Sequence, residues 1–161
     1  MSDSQSLILK GHVDIKLYNK YGEIIDERST SNAITAVGRT ILVNKIAAAG
    51  VASTSNYYTF CAGVGTGTPT STDLGAEIGS RVAQAGVLNT SGGTSPNQYY
   101  TALGYQYTFD AGNATGTLTE AALYTDSAPS LGICLHTVSF SQIVKGANDS
   151  LTIQWKLTIN S

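Results

Sequence analysis

The chain has 161 residues, 42% apolar and only 12% charged, with a formal net charge of −2. That length supports one domain with a core of its own. The lack of any basic block excludes the electrostatic footprint of a nucleic-acid binder, and no apolar run is long enough for a helix to cross a bilayer.

Ser, Thr, Gly and Asn stand where charge would normally be. Such a surface is well hydrated but costs less to desolvate than a charged one. It suits lasting contact with other subunits and equally suits plain polar loops. The start, MSDSQSLILKGH, has neither the basic stretch nor the long apolar core of a secretory signal, so synthesis in a cytoplasm is expected. Residues 1–11 are expected to form an arm and residues 12–161 a single domain. Leu7, Ile8 and Leu9 are the apolar part of that arm, placed either to dock on a neighbouring subunit or to begin the first strand.

Val13, Ile15 and Leu17 alternate with Asp14 and Lys16, Gly22 sits in a turn, and Ile24 and Ile25 lead back out. This predicts a β-hairpin from about His12 to Arg28. The period then changes. Ile34, Val37, Ile41, Leu42 and Ile46 fall on one helical face, which predicts an α-helix over about residues 32–48. Ser31 or Asn32 would cap it, Gly50 would stop it, and Gly38 would allow a close approach.

Beyond Gly50 the chain is β-rich. NYYTFCAGVG reads as a strand running into a long loop, GVGTGTPTSTDLG. Glu77 and Arg81 have helical spacing, suggesting a helical turn before a strand near Val82 to Leu88. NTSGGTSPN reads as a flexible loop. QYYTALGYQYTFD, TLTEAALYT, ICLHTVSF and DSLTIQWKLTIN read as strands. In the last of these Leu151, Ile153, Trp155, Leu157 and Ile159 alternate with polar residues, so Trp155 is expected in the core. No βαβ alternation appears. The fold class predicted is mainly β: an antiparallel β-sandwich or jelly roll with one α-helix packed on it.

The chemistry-bearing residues are sparse. GVGTGT invites a phosphate-loop reading, but no Lys-Ser/Thr pair follows and Pro69 breaks the context, so a plain loop is expected. His12 and His136 have no ligand partner at helix or hairpin spacing, and no metal or cofactor is expected. His12 and Asp14 share a strand face and are expected to form a structural pair; His136 is expected to face solvent or a subunit. Glu120, with Asp110 and Asp126 near the ends of its strand, makes a glycosidase-like carboxylate pair conceivable. No G-x-S-x-G elbow occurs, and no catalytic residue is assigned. Cys61 and Cys134 are read as small buried hydrophobes, a disulfide between neighbouring strands being the alternative. The sequons at Asn89, Asn113 and Asn148 are chance matches in an Asn-, Ser- and Thr-rich chain.

Nine Tyr stand against three Phe and one Trp. Strand propensity accounts for many of them. Tyr57, Tyr58, Tyr99 and Tyr100 are candidates for interface burial, because Tyr combines contact area with a polar tip.

The order SNAITAVGRTIL, GVGTGTPTSTDLGAEI, YTFDAGNATGTLTEAALYT and LHTVSFSQIVKGANDSLTIQWKLTI resembles small virion proteins of tailed bacteriophages. TLTEAALY and VSFSQIVKGANDSLTIQWKLTI carry most of that likeness, through runs of the type E-A-x-L-[FY] and F-x-x-I-x-K-x-x-x-[DN]-[ST]-L-x-I-x-W. The nearest class is the capsid decoration or cement protein. The resemblance implies a small β-sandwich or jelly-roll module on the capsid surface of a virion. It also implies contact with the major capsid protein, self-association as a trimer or a dimer, and no catalytic residues. A tail or fibre component that attaches to host-surface glycans is the alternative.

Overall fold

The computed structural model describes residues 8–40, 60–83, 86–95, 98–129 and 132–160. Among them nine strands are present: β1 (Ile8–Tyr18), β2 (Ile24–Ile34), β3 (Cys61–Gly65), β4 (Glu77–Ala83), β5 (Gly86–Ser95), β6 (Gln98–Phe109), β7 (Gly116–Tyr124), β8 (Cys134–Lys145) and β9 (Ser150–Asn160). They form one antiparallel sheet in the order β4-β3-β7-β8-β2-β1-β9-β6-β5. The sheet curls until β4, at one edge, comes against β6, next to the other, so it is nearly closed.

Period-two alternation places the core. Leu151, Ile153, Trp155 and Leu157 of β9 are buried, as Trp155 was expected to be. Their cross-strand partners continue the same rows. Leu17, Leu151 and Phe109 form one; Ile15, Ile153 and Tyr107 the next; Val13, Trp155 and Tyr105 the third. The facing half of the sheet contributes Val64, Leu118, Ala121, Leu123, Leu135, Val138 and Ile143 to the same core. Burying each large side chain of this kind contributes about 1.5–3 kcal/mol before entropy is subtracted.

β2 joins the two halves. It pairs with β1 along most of its length but meets β8 only at Ala33↔Thr137 and Ile34↔His136. Below those two rungs the strands part. There the Arg28 side chain spans the gap, its Nε donating to Ser141 Oγ (2.6 Å) and an Nη to the Gln142 carbonyl (3.0 Å). The β1–β2 hairpin is closed by Asn19, whose Oδ1 accepts from the backbone N–H groups of Tyr21 and Glu23. Tyr21, Ile24 and Ile25 near its tip are exposed.

Several expected boundaries move. Ile8–Gly11 belong to β1, so of the two placements expected for Ile8 and Leu9 the start of the first strand is the one present, and the domain boundary at residue 12 moves back. Asn32–Ile34 extend β2, because register with β1 carries Asn32 opposite Gly11. The helix therefore starts later, with residues 36–40 helical, and the rest of the expected span, 41–48, lies outside the described residues. Its cap is Thr35, whose Oγ1 accepts from Gly38 N (2.9 Å), in place of Ser31 or Asn32. Val37, assigned to the apolar helical face, is exposed. Gly38 does mark a close approach: a Cβ there would lie 2.2 Å from the Leu135 carbonyl oxygen of β8. Glu77 and Arg81 lie in an extended strand, not a helical turn. The stretch Asn89–Ser95, expected as loop, is the outer part of β5, paired with β6.

Candidate functional site

The glycine-rich run does cradle an anion, and the anion is the chain's own. Glu120 on β7 is fully buried. Its Oε1 accepts from Gly67 N (2.9 Å) and Ala76 N (2.8 Å), and its Oε2 from Gly75 N (2.9 Å). A Cβ on Gly65 would lie 2.4 Å from Glu120 Oε1, so the glycines make room for the carboxylate. Thr119 Oγ1 adds a bond to the Gly67 carbonyl (2.7 Å). The TLTEAALY strand thus fastens both ends of the loop that follows β3. Hydrogen bonds of this charge-assisted kind are about twice as strong as neutral ones. The other two acidic residues weighed with Glu120 make different contacts. Asp126 Oδ1 accepts from Ala128 N (2.8 Å), and Asp110 sits in an exposed turn whose carbonyl accepts from buried Lys145 Nζ (3.0 Å).

A second buried layer lies beside it. The Arg81 side chain is only 1% exposed, forks onto Glu77 (2.7 and 3.1 Å), and lies 3.4 Å above the centroid of the Tyr124 ring. The Tyr124 hydroxyl donates to Asp73, so the same loop is held a second time. Burial raises the Tyr124 phenol and the bond to Asp73 raises it further. Burial works to lower the Arg81 pKa, and the bonds to Glu77 outweigh it, leaving the guanidinium above its ordinary value. Both cysteines are buried thiols and form no disulfide. Burial pushes Cys134 up to about 12 and raises Cys61 as well, which keeps both from thiolate chemistry at neutral pH.

The outer face of β1 and β2 holds the residue types of a hydrolytic triad: Ser29, His12 and Asp14. Their layout does not match one. His12 Nε2 contacts both Asp14 Oδ1 (3.1 Å) and Ser29 Oγ (2.9 Å), while Ser29 Oγ donates to Asp14 Oδ1 (2.7 Å). A relay needs carboxylate and hydroxyl at opposite ring nitrogens. Here the hydroxyl proton goes to the carboxylate, so the oxygen gains no base. Burial tends to raise the Asp14 carboxyl, and the bonds from Ser29 and His12 outweigh it and hold it below its ordinary value. The structural pairing of His12 with Asp14 is present.

His136 departs from expectation. It is buried, 7% exposed, beside the two rungs that join β2 to β8. Asn32 Nδ2 lies 2.7 Å from its Nδ1, and the ring meets Trp155 edge-on at 6.0 Å between centroids. Burial pushes its pKa down to about 4. Among the described residues Asn32 Oδ1 has no hydrogen-bond partner, nor do Trp155 Nε1 and Tyr107 OH. A Cβ on Gly11 would fall 1.7 Å from Asn32 Oδ1, so the glycine in β1 gives the carboxamide its place.

Where β2 and β8 part, an open cleft of about 350 Å³ is lined by Arg28, Ser29, Thr30, Ser139, Phe140 and Ser141. Four hydroxyls, one guanidinium and one aromatic ring make its lining. No sequence signal pointed to it, because its two walls are more than a hundred residues apart in the chain.

The four described candidate interface residues fall at one end of the sheet, Ile8 and Tyr100 both opposite Asn160. Ile8 and Leu9 pair with Asn160 and Ile159, Tyr99 with Thr94, and Tyr100 with Gly93 and Asn160. Leu7, Tyr57 and Tyr58 lie outside the described residues. Among the described residues no three His, Cys, Asp or Glu side chains converge as a metal site would require, and no helix is long and apolar enough to cross a membrane. Comparison with protein-family models, with curated proteins and with solved structures finds no match.

Proposed function

We propose that the chain is a non-enzymatic virion structural protein that decorates the outer surface of a phage capsid, binding between major capsid protein subunits and associating with itself as a trimer or dimer. In this reading the folded-over sheet is a β-sandwich of the jelly-roll kind, its two layers sharing the core of β1, β6 and β9 with β3, β7 and β8. The observation that carries it is the use made of buried polar groups. Glu120, Arg81 and Lys145 each fasten a loop or turn to the sheet. Those bonds favour rigid loops presented to a partner over an open reactive centre.

The outer face offers polar contacts to a partner: His12, Asp14 and Ser29 stand beside Gln154, Gln106 and Thr152, with the charges of Lys16, Glu27 and Lys156 at adjoining register positions. Many modest contacts of this type sum by multivalency on a symmetric lattice. The runs that resemble phage virion proteins fall on β7 and on β8–β9, in the strands that hold the fixed loop and the core.

The test is co-sedimentation of the purified chain with tailless heads and, separately, with isolated tails of the source phage. Saturable binding to heads at a fixed ratio to the major capsid subunit is the expected result. Binding to tails alone overturns the capsid assignment and moves the protein to the fibre class, with the glycan question then open.

A further inference from the structure

Tyr21 is the most exposed large apolar side chain among the described residues, 75% accessible at the tip of the β1–β2 hairpin, with Ile24 and Ile25 exposed beside it. The tip is a fixed turn. Asn19 Oδ1 accepts from the Tyr21 and Glu23 N–H groups, and Asn19 Nδ2 donates to Glu23 Oε2 (2.7 Å). The Asn19 N–H donates to the Glu23 carbonyl, and Gly22 takes the left-handed φ of +80° that the turn requires. An aromatic side chain held out in this way loses little freedom on contact, and Tyr is a residue type on which interface energy concentrates.

The cleft of about 350 Å³ where β2 and β8 part is a seat of matching size and chemistry. A cavity of about 150 Å³ takes a benzene ring. The cleft spans three residues of each wall, so it has room for one aromatic side chain and not for a strand. Arg28 has no donor left for an anion. Its five N–H groups go to the two Asp26 oxygens, the Glu27 carbonyl, Ser141 Oγ and the Gln142 carbonyl. With the edge of the guanidinium engaged, what it still offers is its flat face, which attracts an aromatic ring. The protein makes that contact once already: Arg81, its edge on Glu77, lies 3.4 Å above the Tyr124 ring. Phe140 adds an aromatic neighbour to the cleft, and its serine and threonine hydroxyls are partners for a phenol.

We propose that Tyr21 of one copy seats in the β2–β8 cleft of a second copy, its ring on the face of Arg28. Within one molecule the two are out of reach. The cleft begins at Arg28, past Ile24 by ~13 Å of strand at ~3.3 Å per residue, and the turn is held in place by Asn19. Charge favours the docking. Lys20 lies beside Tyr21, its Nζ 4.9 Å from the ring centroid, and comes with it to the rim that carries Asp26 and Glu27, where Lys16 stands opposite Glu27. The tip's own carboxylate, Glu23, is turned back on Asn19. Ile24 and Ile25 follow Tyr21 toward the β8 wall, where Val144 is exposed. Tip and cleft are different surfaces, so the contact is head-to-tail and builds a ring where the rotation closes and a filament where it does not. The inference deepens the self-association of the proposed function and needs no capsid subunit.

The experiment is sedimentation equilibrium on the full chain, without capsids. The native chain is expected to self-associate. Tyr21→Ala is expected to weaken that association roughly thirtyfold or more, the scale of an interface hot spot, with an unchanged far-UV spectrum because the side chain is exposed. Ser139→Trp fills the cleft from its own wall and is expected to do the same; Thr30→Trp, from the other wall, replaces it if its far-UV spectrum is not native. Mixed together, the variant with a cleft and no tip and the variant with a tip and no cleft are expected to form a one-to-one dimer and nothing larger. A native chain that stays monomeric, a Tyr21→Ala chain that associates as the native one does, or a mixture that stays monomeric overturns the proposal. A monomeric native chain that binds heads overturns the seat and keeps the capsid reading; one that associates through Tyr21 and ignores heads keeps the seat and overturns the capsid reading.

Discussion

Acid is expected to loosen this fold through His136. In the native state burial holds its pKa near 4, and the Asn32 carboxamide nitrogen faces Nδ1, so the ring is kept neutral as an acceptor. In the unfolded chain it titrates near 6.5. Between those values the unfolded state binds the proton and the native state does not, so stability is full above pH 6.5 and falls as pH drops toward 4. The shift of roughly two and a half pH units, at about 1.4 kcal/mol each, amounts to about 3 kcal/mol lost across that window. The assay is urea unfolding at pH 7, 6, 5 and 4, run on the native chain and on His136→Gln, which keeps a polar group toward Asn32 but does not titrate. Carboxylates contribute equally to both, so the difference between the two curves isolates His136. That difference is expected to shrink or reverse by about 3 kcal/mol from pH 7 to pH 4. Parallel curves, or a native His136 resonance titrating near pH 6.5, would refute the reasoning.

Two further outcomes follow from the loop anchor and the core. Glu120→Gln leaves three backbone N–H groups facing a side chain with one acceptor oxygen, and is expected to cost ~2–4 kcal/mol, with new proteolytic cleavage between residues 66 and 76 as the local signature. Trp155→Ala removes the centre of the third core row and is expected to cost ~3–5 kcal/mol by denaturant melt; a loss below about 1 kcal/mol would contradict its burial.

The strands with one apolar and one polar face were legible. β9, β6 and β1 follow from alternation, and their buried residues are the ones that alternation selects, whereas Ile24 and Ile25, which marked the return strand β2, are exposed. Failures came where a distant partner decided the outcome. Asn32–Ile34 stand at the start of the expected helix, with Ile34 on its apolar spacing, yet the β1 register and the rungs to β8 draw them into β2. NTSGGTS has no apolar face and reads as loop, but an aromatic neighbouring strand, β6, supplies the pairing that makes it β5. Glu77 and Arg81 are spaced as on a helix and do bond each other, but from an extended strand with Gly79 in the left-handed region. For the site, the paired residues His12 and Asp14 were visible because they are neighbours in sequence. The anchoring of Glu120 was not, since its bonding partners lie 44 to 53 residues away. An E-A-x-L-Y run and a Gly-x-Gly-x-Gly-like run gave no local sign that one holds the other.

The placement of β9 has a consequence for how the molecule is made. It sits between β1 and β6 and pairs with both along its whole length. Until residues 150–160 have left the ribosome, the nascent chain holds β1 and β6 with their long apolar rows unpaired on that side. The core cannot close by growing outward from either terminus; it closes when one late segment slots between two early ones. Non-local pairing of that kind is slow, and exposed strand edges are prone to association in the meantime. A chain stopped short of Asp149 would therefore not be a smaller version of this protein but a sticky precursor of it, and quality control in the producing cell would meet it as such.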